Sequence, residues 1–542
     1  MNLFDAIFKQ IPAERTAILC ERQQISYAEL RERSLGIARV LNVLGVVRGD
    51  RVALLLHDSP EFIAAFIAIC SYGAVAVPIN MSLRLEEQQA ILNNCAATRA
   101  LVEEDLYAAL LARPDNLPQL KELVVVGRGE AQDTTLNEQS DDSAEPSITV
   151  LSLRNLLEQS HQQETDFPAP EQNQPAFILY TSGSTGEPKG AVHCQSDIFY
   201  TNETYCREVL QLKESDRLFS SSRLPFAYGL GNAFTFPLLN GCTTILCREK
   251  PTPEVIAGVF SKFKPTIFFA VPVVYRLLLD ELKRNPGRST LDCSSLRLCI
   301  SAGEALPAAI GEEWEKTFGV PVLDGIGSTE MLHMWMSNHE GDVVYGSSGK
   351  LLHGYEARLL DPDGKTIPDD VEGNLWIKGA SAAREYWQRP EVTANTFVDG
   401  WVRTGDLYRR DADGYWFHMG RSDDCFKSSG QWVSPVEVEG VLLRHEGVRS
   451  TAVVEDFDAD GLPCACAFVV RSEASIGESD CELRLREVAR AALPRFKQPR
   501  RYVFVNELPY TATGKIQRFK LRKGLESKLS AMTSAAPEND YD

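Results

Sequence analysis

The sequence lacks the features that mark nucleic-acid-binding, secreted and membrane proteins. Its 56 lysines and arginines face 75 aspartates and glutamates, and the formal net charge of −19 disfavours nucleic acid and anionic membranes as partners. Residues 1–5 contain no basic region and no cleavage site, so no secretory signal is predicted. We therefore expect a cytoplasmic protein without nucleic-acid or membrane partners. Its oligomeric state stays open, with a homodimer as one possibility.

Disulfide and zinc-site cysteine patterns are also missing. The thirteen cysteines are an odd number without zinc-site spacing, and several, such as Cys70 and Cys466, lie in apolar segments. They predict reduced core residues. The apolar stretch 62–79 is interrupted by Gly73 and Pro78. It therefore predicts a helix that starts after Ser59 and ends at Gly73, followed by a buried strand, and not a membrane span.

The chain contains enough apolar sequence for more than one domain, with 44% apolar residues over 542 positions. Short apolar runs alternate with helical patterns of about ten to fifteen residues. This alternation predicts an α/β fold, in which a large N-terminal domain (1–422) contains mostly parallel sheets covered by helices. A small α+β C-terminal domain is predicted at 423–526 and a polar tail at 527–542.

Hydroxyl groups, glycines and one lysine follow the apolar run 176–179. Residues 180–190 read Tyr-Thr-Ser-Gly-Ser-Thr-Gly-Glu-Pro-Lys-Gly. The glycines let backbone N–H groups turn towards an anion, the hydroxyls add donors, and Lys189 adds a full positive charge. The spacing is not that of a Walker A loop, because Pro188 precedes the lysine and Gly190 follows it. The segment predicts a phosphate-binding loop of another kind.

Five further segments follow this loop in order. They are 301–307 (Ser-Ala-Gly-Glu-Ala-Leu-Pro), 327–330 (Gly-Ser-Thr-Glu), 401–407 (Trp-Val-Arg-Thr-Gly-Asp-Leu), 420–424 (Gly-Arg-Ser-Asp-Asp) and 513–515 (Thr-Gly-Lys). With this set the whole chain resembles the adenylate-forming superfamily of acyl-CoA synthetases, peptide-synthetase adenylation domains and firefly luciferase. Residues 226–232, 330–333 and 430–435 resemble its benzoate-CoA ligase branch.

The resemblance implies an AMP-forming acid–thiol ligase that activates benzoate or a substituted benzoate with ATP and Mg²⁺ and transfers the acyl group to CoA. It implies that Lys515 bridges the carboxylate and the α-phosphate, with Thr185 and Glu330 completing the catalytic set. Glu330 is also the implied Mg²⁺ residue. The other implied ATP- or AMP-binding residues are Thr181, Ser182, Gly183, Ser184, Gly186, Lys189, Ala302, Gly303, Glu304, Asp324, Gly325, Ile326, Gly327, Thr329, Asp406, Arg421 and Lys427.

The resemblance also implies a mobile C-terminal domain that swings about the hinge residue Asp423 between the two half-reactions. After the swing, Lys427 and Gly430 approach the site. Gly430 leaves room for the pantetheine arm, and Trp432 lines the same thiol channel.

The implied acyl pocket consists of Phe226, Ala227, Tyr228, Gly327, His333 and Trp335. Amino-acid-activating relatives have an aspartate where this chain has Ala227. An unpaired buried ammonium would be costly, so an α-amino acid substrate is disfavoured. Pro225 departs from the branch, which usually has another aromatic residue there, and the ring substituent therefore stays open.

Other functions remain open at this point. The acceptor could be an acyl carrier protein, because Arg495, Lys497, Arg500 and Arg501 suit either the CoA phosphates or an acidic carrier helix. A medium-chain acyl-CoA ligase is a further alternative. A luciferase-like oxygenase or a degenerate binder belongs to another class, and the intact Lys515 and Glu330 disfavour it.

Overall fold

The computed structural model describes residues 2–21, 23–113, 116–127, 134–136, 148–161, 165–171, 173–182, 188–284, 291–429, 431–458, 461–472, 477–510 and 516–533. Its α-helices are α1 (Leu3–Phe8), α2 (Tyr27–Val43), α3 (Pro60–Tyr72), α4 (Leu85–Asn94), α5 (Tyr107–Leu111), α6 (Leu153–Ser160), α7 (Gln195–Thr201), α8 (Ala227–Leu230), α9 (Phe236–Leu239), α10 (Pro253–Phe263), α11 (Pro272–Arg284), α12 (Ala308–Phe318), α13 (Pro390–Thr396), α14 (Pro435–Leu442), α15 (Glu478–Ala492) and α16 (Arg518–Thr533). Asn202–Leu210 and Gly231–Thr235 are π-helical, and Thr329–Met331 and Arg495–Lys497 are 3₁₀ turns.

The strands are β1 (Thr16–Cys20), β2 (Gln23–Ser26), β3 (Arg51–Leu55), β4 (Val75–Pro78), β5 (Arg99–Glu103), β6 (Glu122–Val126), β7 (Thr134–Leu136), β8 (Ile148–Ser152), β9 (Pro175–Ser182), β10 (Pro188–Cys194), β11 (Arg217–Ser220), β12 (Thr243–Leu246), β13 (Ile267–Ala270), β14 (Leu298–Ser301), β15 (Val322–Gly327), β16 (Met334–Ser337), β17 (Lys350–Leu351), β18 (Glu356–Leu360), β19 (Gly373–Lys378), β20 (Phe397–Val398), β21 (Trp401–Arg410), β22 (Trp416–Arg421), β23 (Phe426–Ser428), β24 (Gln431–Val433), β25 (Val448–Phe457), β26 (Pro463–Arg471) and β27 (Arg501–Phe504).

Helix α3 shows how local sequence determines these elements. The Ser59 hydroxyl accepts a hydrogen bond from the Phe62 N–H at 3.2 Å, and Pro60 occupies the first helical position. Gly73 ends the helix with a φ of 93°, in the left-handed region that glycine tolerates. Eleven residues of α3 are buried, and each large apolar side chain contributes about 1.5–3 kcal/mol by leaving water. Across the described residues, no helix is both long and apolar enough to cross a bilayer.

Two large sheets form most of the chain before residue 352. The first has the order β10-β9-β4-β3-β5-β6-β8-β7, and all its pairs are parallel except those at its two ends. The second has the order β17-β16-β15-β14-β13-β11-β12-β1-β2 and is parallel from β15 to β1. The apolar runs predicted as strands lie in these sheets as β3, β6, β13 and β14, almost fully buried. The predicted α/β fold with mostly parallel sheets is confirmed.

Smaller sheets follow in the chain. Strands β18, β19, β21, β20 and β22 form an antiparallel sheet that carries Asp406. After residue 422, the hairpin β23–β24 and the sheet β25-β26-β27 pack with α14 and α15 around a separate core, which includes Phe426, Val453 and Leu485. These elements form a smaller unit with its own hydrophobic core. All thirteen cysteines lie in the described part of the chain as free thiols, and eleven are buried.

Candidate active site

Two neighbouring parallel strands bring the segments predicted to flank adenine to one edge of the second sheet. Strands β14 and β15 pair with Ser301 opposite Asp324. Residues 302–304 leave the end of β14, while residues 325–327 complete β15, so they meet at the carboxyl edge where α/β sheets bind ligands. Gly303 has a φ of +94°, and only glycine adopts this conformation without strain.

Asp324 is a buried carboxyl group at this edge. Its Oδ2 accepts a hydrogen bond from the Leu306 N–H at 3.2 Å, and the Ser301 side chain and the Gly325 backbone also hydrogen-bond to the carboxyl group. Burial raises the pKa of Asp324 to about 8, because the charged form loses its hydration. The neutral carboxyl group thus orders the turn after β14 through its hydrogen bond to Leu306.

The predicted phosphate loop joins two antiparallel strands. Ser182 pairs with Pro188 and Thr181 with Lys189, so the β9–β10 ladder extends further than the sequence indicated. Gly183, Ser184, Thr185 and Gly186 lie outside the described residues. The second edge of β10 is also bonded, because Val192 exchanges two backbone hydrogen bonds with residues 384–385 and the Trp387 N–H donates to the Gly190 carbonyl at 2.7 Å. The base of the loop is therefore held on both sides.

The Glu330 turn is held by residues that sequence reasoning missed. The Tyr386 hydroxyl donates to Oε1 of Glu330 at 2.6 Å, and the Ala383 N–H donates to the Glu330 carbonyl at 2.7 Å. His193 is fully buried; its Nε2 donates to the Thr329 carbonyl at 2.8 Å, and its Nδ1 lies 3.0 Å from Oδ2 of Asp197. His193 lies three residues after the end of the phosphate motif, and this proximity is the sequence signal that could have suggested it.

Asp406 lies on β21, directly opposite Arg421 on the antiparallel neighbour β22. Its Oδ1 accepts from Nη1 of Arg421 at 3.0 Å and lies 3.5 Å from Nε2 of His418. Burial raises the pKa of Asp406, but the hydrogen bonds and charges of His418 and Arg421 outweigh it, so the net pKa is lowered. Asp406 is therefore an ionised, preoriented acceptor, and Arg421 is already paired with it.

The C-terminal segment contacts the turn after β14 that is predicted to flank adenine. The Ile516 N–H donates to Oε1 of Glu304 at 3.3 Å, and Ile516 pairs with Tyr510 across the intervening residues. Lys515 and Gly430 lie outside the described residues, as does the side chain of Trp432. Lys427 is exposed on β23. At the predicted hinge residue, Nη1 of Arg522 donates to the Asp423 carbonyl at 3.3 Å.

Several residues of the predicted acyl pocket lie on or next to α8. Phe226 precedes α8, and the partly exposed Tyr228 donates its hydroxyl hydrogen to the Ile300 carbonyl at 3.2 Å. The Tyr228 and His333 ring centroids are 5.8 Å apart. A Cβ on Gly327 would lie 2.5 Å from the His333 carbonyl oxygen, so only glycine fits there. Burial lowers the pKa of His333 to about 3, and its ring is therefore neutral.

Trp335 and the cations predicted to bind CoA or a carrier protein lie outside the cluster around α8. Trp335 is fully buried in the core with Met331 and Met336. Among the cations considered for CoA or carrier binding, three are paired with carboxylates; these pairs are Lys497–Glu437 (2.5 Å), Arg500–Asp458 (2.6 Å) and Arg501–Asp456 (2.8 Å). Each of these three cations would therefore bind CoA or a carrier protein while already paired with a carboxylate.

The chain belongs to the AMP-binding enzyme family. The family model matches residues 4–387, and the model of the AMP-binding enzyme C-terminal domain matches residues 437–515. The chain is 40% identical to a benzoate–CoA ligase of Thauera aromatica over 510 residues, which cover 94% of this chain and 92% of the relative.

Solved structures agree with this membership. An anthranilate CoA ligase in complex with anthranoyl-AMP superposes with a TM-score of 0.89 at 35% identity, covering 98% of both chains. A benzoate CoA ligase from Burkholderia xenovorans LB400 superposes with a TM-score of 0.85 at 36% identity, covering 96% of this chain and all of the other.

Proposed function

We propose that this enzyme is an ATP-dependent ligase that converts benzoate or a substituted benzoate into its CoA thioester, with AMP and pyrophosphate as the other products. The acyl cleft is the observation that carries this substrate class. Its aromatic walls Phe226 and Tyr228 meet neutral His333, and Ala227 stands where an amino acid substrate would need a carboxylate. The full-length similarity to a benzoate–CoA ligase supports the same reaction.

Adenylation solves a leaving-group problem. A carboxylate does not react with a thiol, because its leaving group would be oxide. Attack of a carboxylate oxygen on the α-phosphorus of ATP breaks the bond to pyrophosphate and makes that oxygen part of an AMP leaving group. Two anions must approach each other, so the site needs positive charge and hydrogen-bond donors. In this proposal Lys189 and Lys515 supply the charge, and Thr329 supplies a donor.

The contact between Ile516 and Glu304 supports the assignment of Lys515. Ile516 follows Lys515 directly in the chain, and its backbone N–H donates to Glu304 in the turn proposed to flank adenine. Asp406 is proposed to accept the ribose hydroxyls, because its carboxylate is ionised and held in place by two partners.

The Glu330 carboxylate suits Mg²⁺. Tyr386 hydrogen-bonds to one of its oxygens, and the carbonyls of Thr329 and Glu330 are bonded by His193 and Ala383. Carboxylate and phosphate oxygens are the ligands that Mg²⁺ prefers. Bound there, Mg²⁺ would neutralise charge on the ATP phosphates. The residues of the chain orient Glu330 for this task through Tyr386 and His193.

Thioester formation is proposed to need a second arrangement of the C-terminal domain. Lys515 must leave before a thiol can attack the acyl-adenylate carbonyl from the same side, which transfers the acyl group to sulfur and releases AMP. Asp423 is the proposed hinge, and Gly430 with Trp432 the proposed thiol channel.

A panel of carboxylic acids tests the function directly. Pyrophosphate release and thioester formation should occur with benzoate, fluorobenzoates or aminobenzoates at higher kcat/KM than with octanoate or alanine, because flexible chains lose more rotamer freedom on binding. CoA should serve as the acceptor, and a phosphopantetheinylated carrier protein should not replace it. Ala227→Leu should penalise ring-substituted acids first, since a packed pocket has little room to relax. Octanoate as the best substrate would refute the aryl pocket.

A further inference from the structure

His193 lies in the core with a hydrogen-bond acceptor at each of its two ring nitrogens. Its Nε2 is 2.8 Å from the Thr329 carbonyl oxygen, and its Nδ1 is 3.0 Å from Oδ2 of Asp197. A carbonyl oxygen and an ionised carboxylate can only accept, so donation at both nitrogens requires the imidazolium form. The Phe177 ring stacks on the imidazole, with centroids 5.3 Å apart, and its electron-rich face favours a cation there.

The surroundings of Asp197 favour its ionised form. Its Oδ2 also accepts from the Cys194 N–H at 3.0 Å, and its Oδ1 accepts from the Ser196 hydroxyl at 3.1 Å. Nη2 of Arg384 lies 3.5 Å from the same Oδ1. Donors and a cation around a carboxylate stabilise its negative charge, and the fully buried Asp197 needs such close partners. An imidazolium at His193 is one of them.

Strand β10 places two basic side chains on one face. Side chains alternate along a strand, so Lys189 and His193 point to the same side, about 13 Å apart. Nζ of Lys189 lies 5.8 Å from the ring centroid of Tyr386, whose hydroxyl donates to Oε1 of Glu330. His193 bonds to Thr329, the residue before Glu330. Both basic residues therefore connect to the Glu330 turn, one through Tyr386 and the other through Thr329.

We propose that His193 is a buried imidazolium and a positioning residue for adenylation, which acts through Thr329 on the part of the site that takes the ATP phosphates. Its bond to the Thr329 carbonyl fixes the turn, and its charge attracts the polyanion at no cost of reorganisation. Substitution should therefore weaken the use of ATP and spare that of the aromatic acid. This inference rests on the proposed function, because it places ATP phosphates at this turn.

The first test measures the charge without any substrate. In protein labelled with ¹⁵N at its eight histidines, the ring signals of His193 are those missing from His193→Gln. Long-range ¹H–¹⁵N correlation spectra distinguish a ring nitrogen that carries a proton from one that carries a lone pair. At pH 7.5 both nitrogens of His193 should carry protons. His333 is the neutral reference, because burial lowers its pKa to about 3. A lone pair on either nitrogen of His193 would overturn the inference.

The second test measures pyrophosphate release. His193→Phe removes the charge and both donors, and KM for ATP should rise about tenfold or more, since hydrogen bonds to charged groups are among the stronger ones. His193→Gln keeps one possible donor to Thr329 and should show a smaller rise. KM for benzoate should stay within about twofold of normal in both variants.

His353→Gln is the matched control, because His353 is exposed and outside the proposed site; it should leave both KM values unchanged. Thermal unfolding shows which variants are folded. An unchanged KM for ATP in folded His193→Phe, or an equal rise in both KM values, would overturn the positioning role. Failure of the wild-type enzyme to release pyrophosphate with any aromatic acid would overturn the proposed function instead.

Discussion

The backbone N–H of Ile516 donates a hydrogen bond of 3.3 Å to the Glu304 carboxylate, which lies 212 positions earlier in the chain. The bond joins the segment next to Lys515 to the turn after β14, where adenine is proposed to bind. It therefore links the C-terminal segment to the turn after β14.

Glu304→Ala should slow adenylation selectively. A hydrogen bond to a charged group contributes about 1.5–3 kcal/mol, so pyrophosphate release should fall about tenfold or more. Thioester formation from premade benzoyl-adenylate should keep its rate, because it does not need this arrangement. Glu312→Ala, at an exposed position on α12, is the control and should leave both rates unchanged. Equal losses in both assays for Glu304→Ala would contradict the proposed link.

Lys515→Ala should separate the half-reactions more sharply. Removing a group that contacts developing charge in a transition state costs about 2.7–4 kcal/mol, or about a hundredfold to a thousandfold in rate. That loss should appear in pyrophosphate release, while transfer from premade aryl-adenylate to CoA survives. A parallel loss in both assays would mean that Lys515 has a structural role.

Gly430→Leu should show the opposite pattern. A leucine side chain would occupy the proposed thiol channel, so adenylate should form at the normal rate and accumulate while thioester formation is blocked. Asp423→Pro should also affect transfer more than adenylation, because proline fixes φ at the hinge. Burst-phase pyrophosphate release without CoA measures adenylation, and AMP release on addition of CoA measures transfer. Normal thioester formation in the two variants would refute a domain rotation about Asp423.

Asp406→Ala should weaken the use of ATP without unfolding the protein. The variant loses the acceptor proposed for both ribose hydroxyls, and two charge-assisted hydrogen bonds at about 1.5–3 kcal/mol each set the upper limit of the effect. KM for ATP should rise, while KM for the aromatic acid stays near its normal value. A folded variant with unchanged ATP kinetics would place Asp406 outside the nucleotide site.

Asp324 predicts a pH dependence of stability. Its pKa of about 8 in the folded state exceeds the unfolded value of about 3.9, so the folded protein holds an extra proton between these values. Stability should therefore fall as the pH rises from about 4 to about 8, by up to about 1.4 kcal/mol per pH unit from this group. The free energy of unfolding, measured with urea at pH 5.5, 6.5 and 7.5, should fall less steeply with pH in Asp324→Asn than in the wild type. Asp363→Asn, on an exposed turn, should match the wild-type slope, and parallel curves for all three proteins would contradict the assignment.

Much of the fold could be predicted from local sequence patterns. The helix start at Ser59–Pro60, its end at Gly73 and the buried strand that follows were all readable, because capping and glycine conformation act within a few residues. The motif residues after β14 and along β15 were predicted to share a site, and the site itself stays a prediction. Parallel pairing then brings them together without any further information from the sequence.

Contacts between distant parts of the chain were not readable. Tyr386 reaches Glu330 across 56 positions, and His193 reaches Thr329 across 136. Neither side chain carries a local signal of its partner. The π-helical turn that places Asn232 against His333 was equally hidden, since this backbone form depends on packing rather than on a sequence rule.

Strand β10 is bonded to β9 on one edge and to residues 384–387 on the other, and the second of these segments also holds Glu330 through Tyr386. These links are mainly backbone hydrogen bonds, which side-chain substitutions do not remove. Residues 183–187 can therefore be varied in sequence between two fixed ends. A combinatorial library at these five positions should yield folded proteins at a high rate but slow pyrophosphate release, because the proposed phosphate donors are changed. The same diversity at 188–194, where most side chains are buried, should mainly reduce the yield of folded protein.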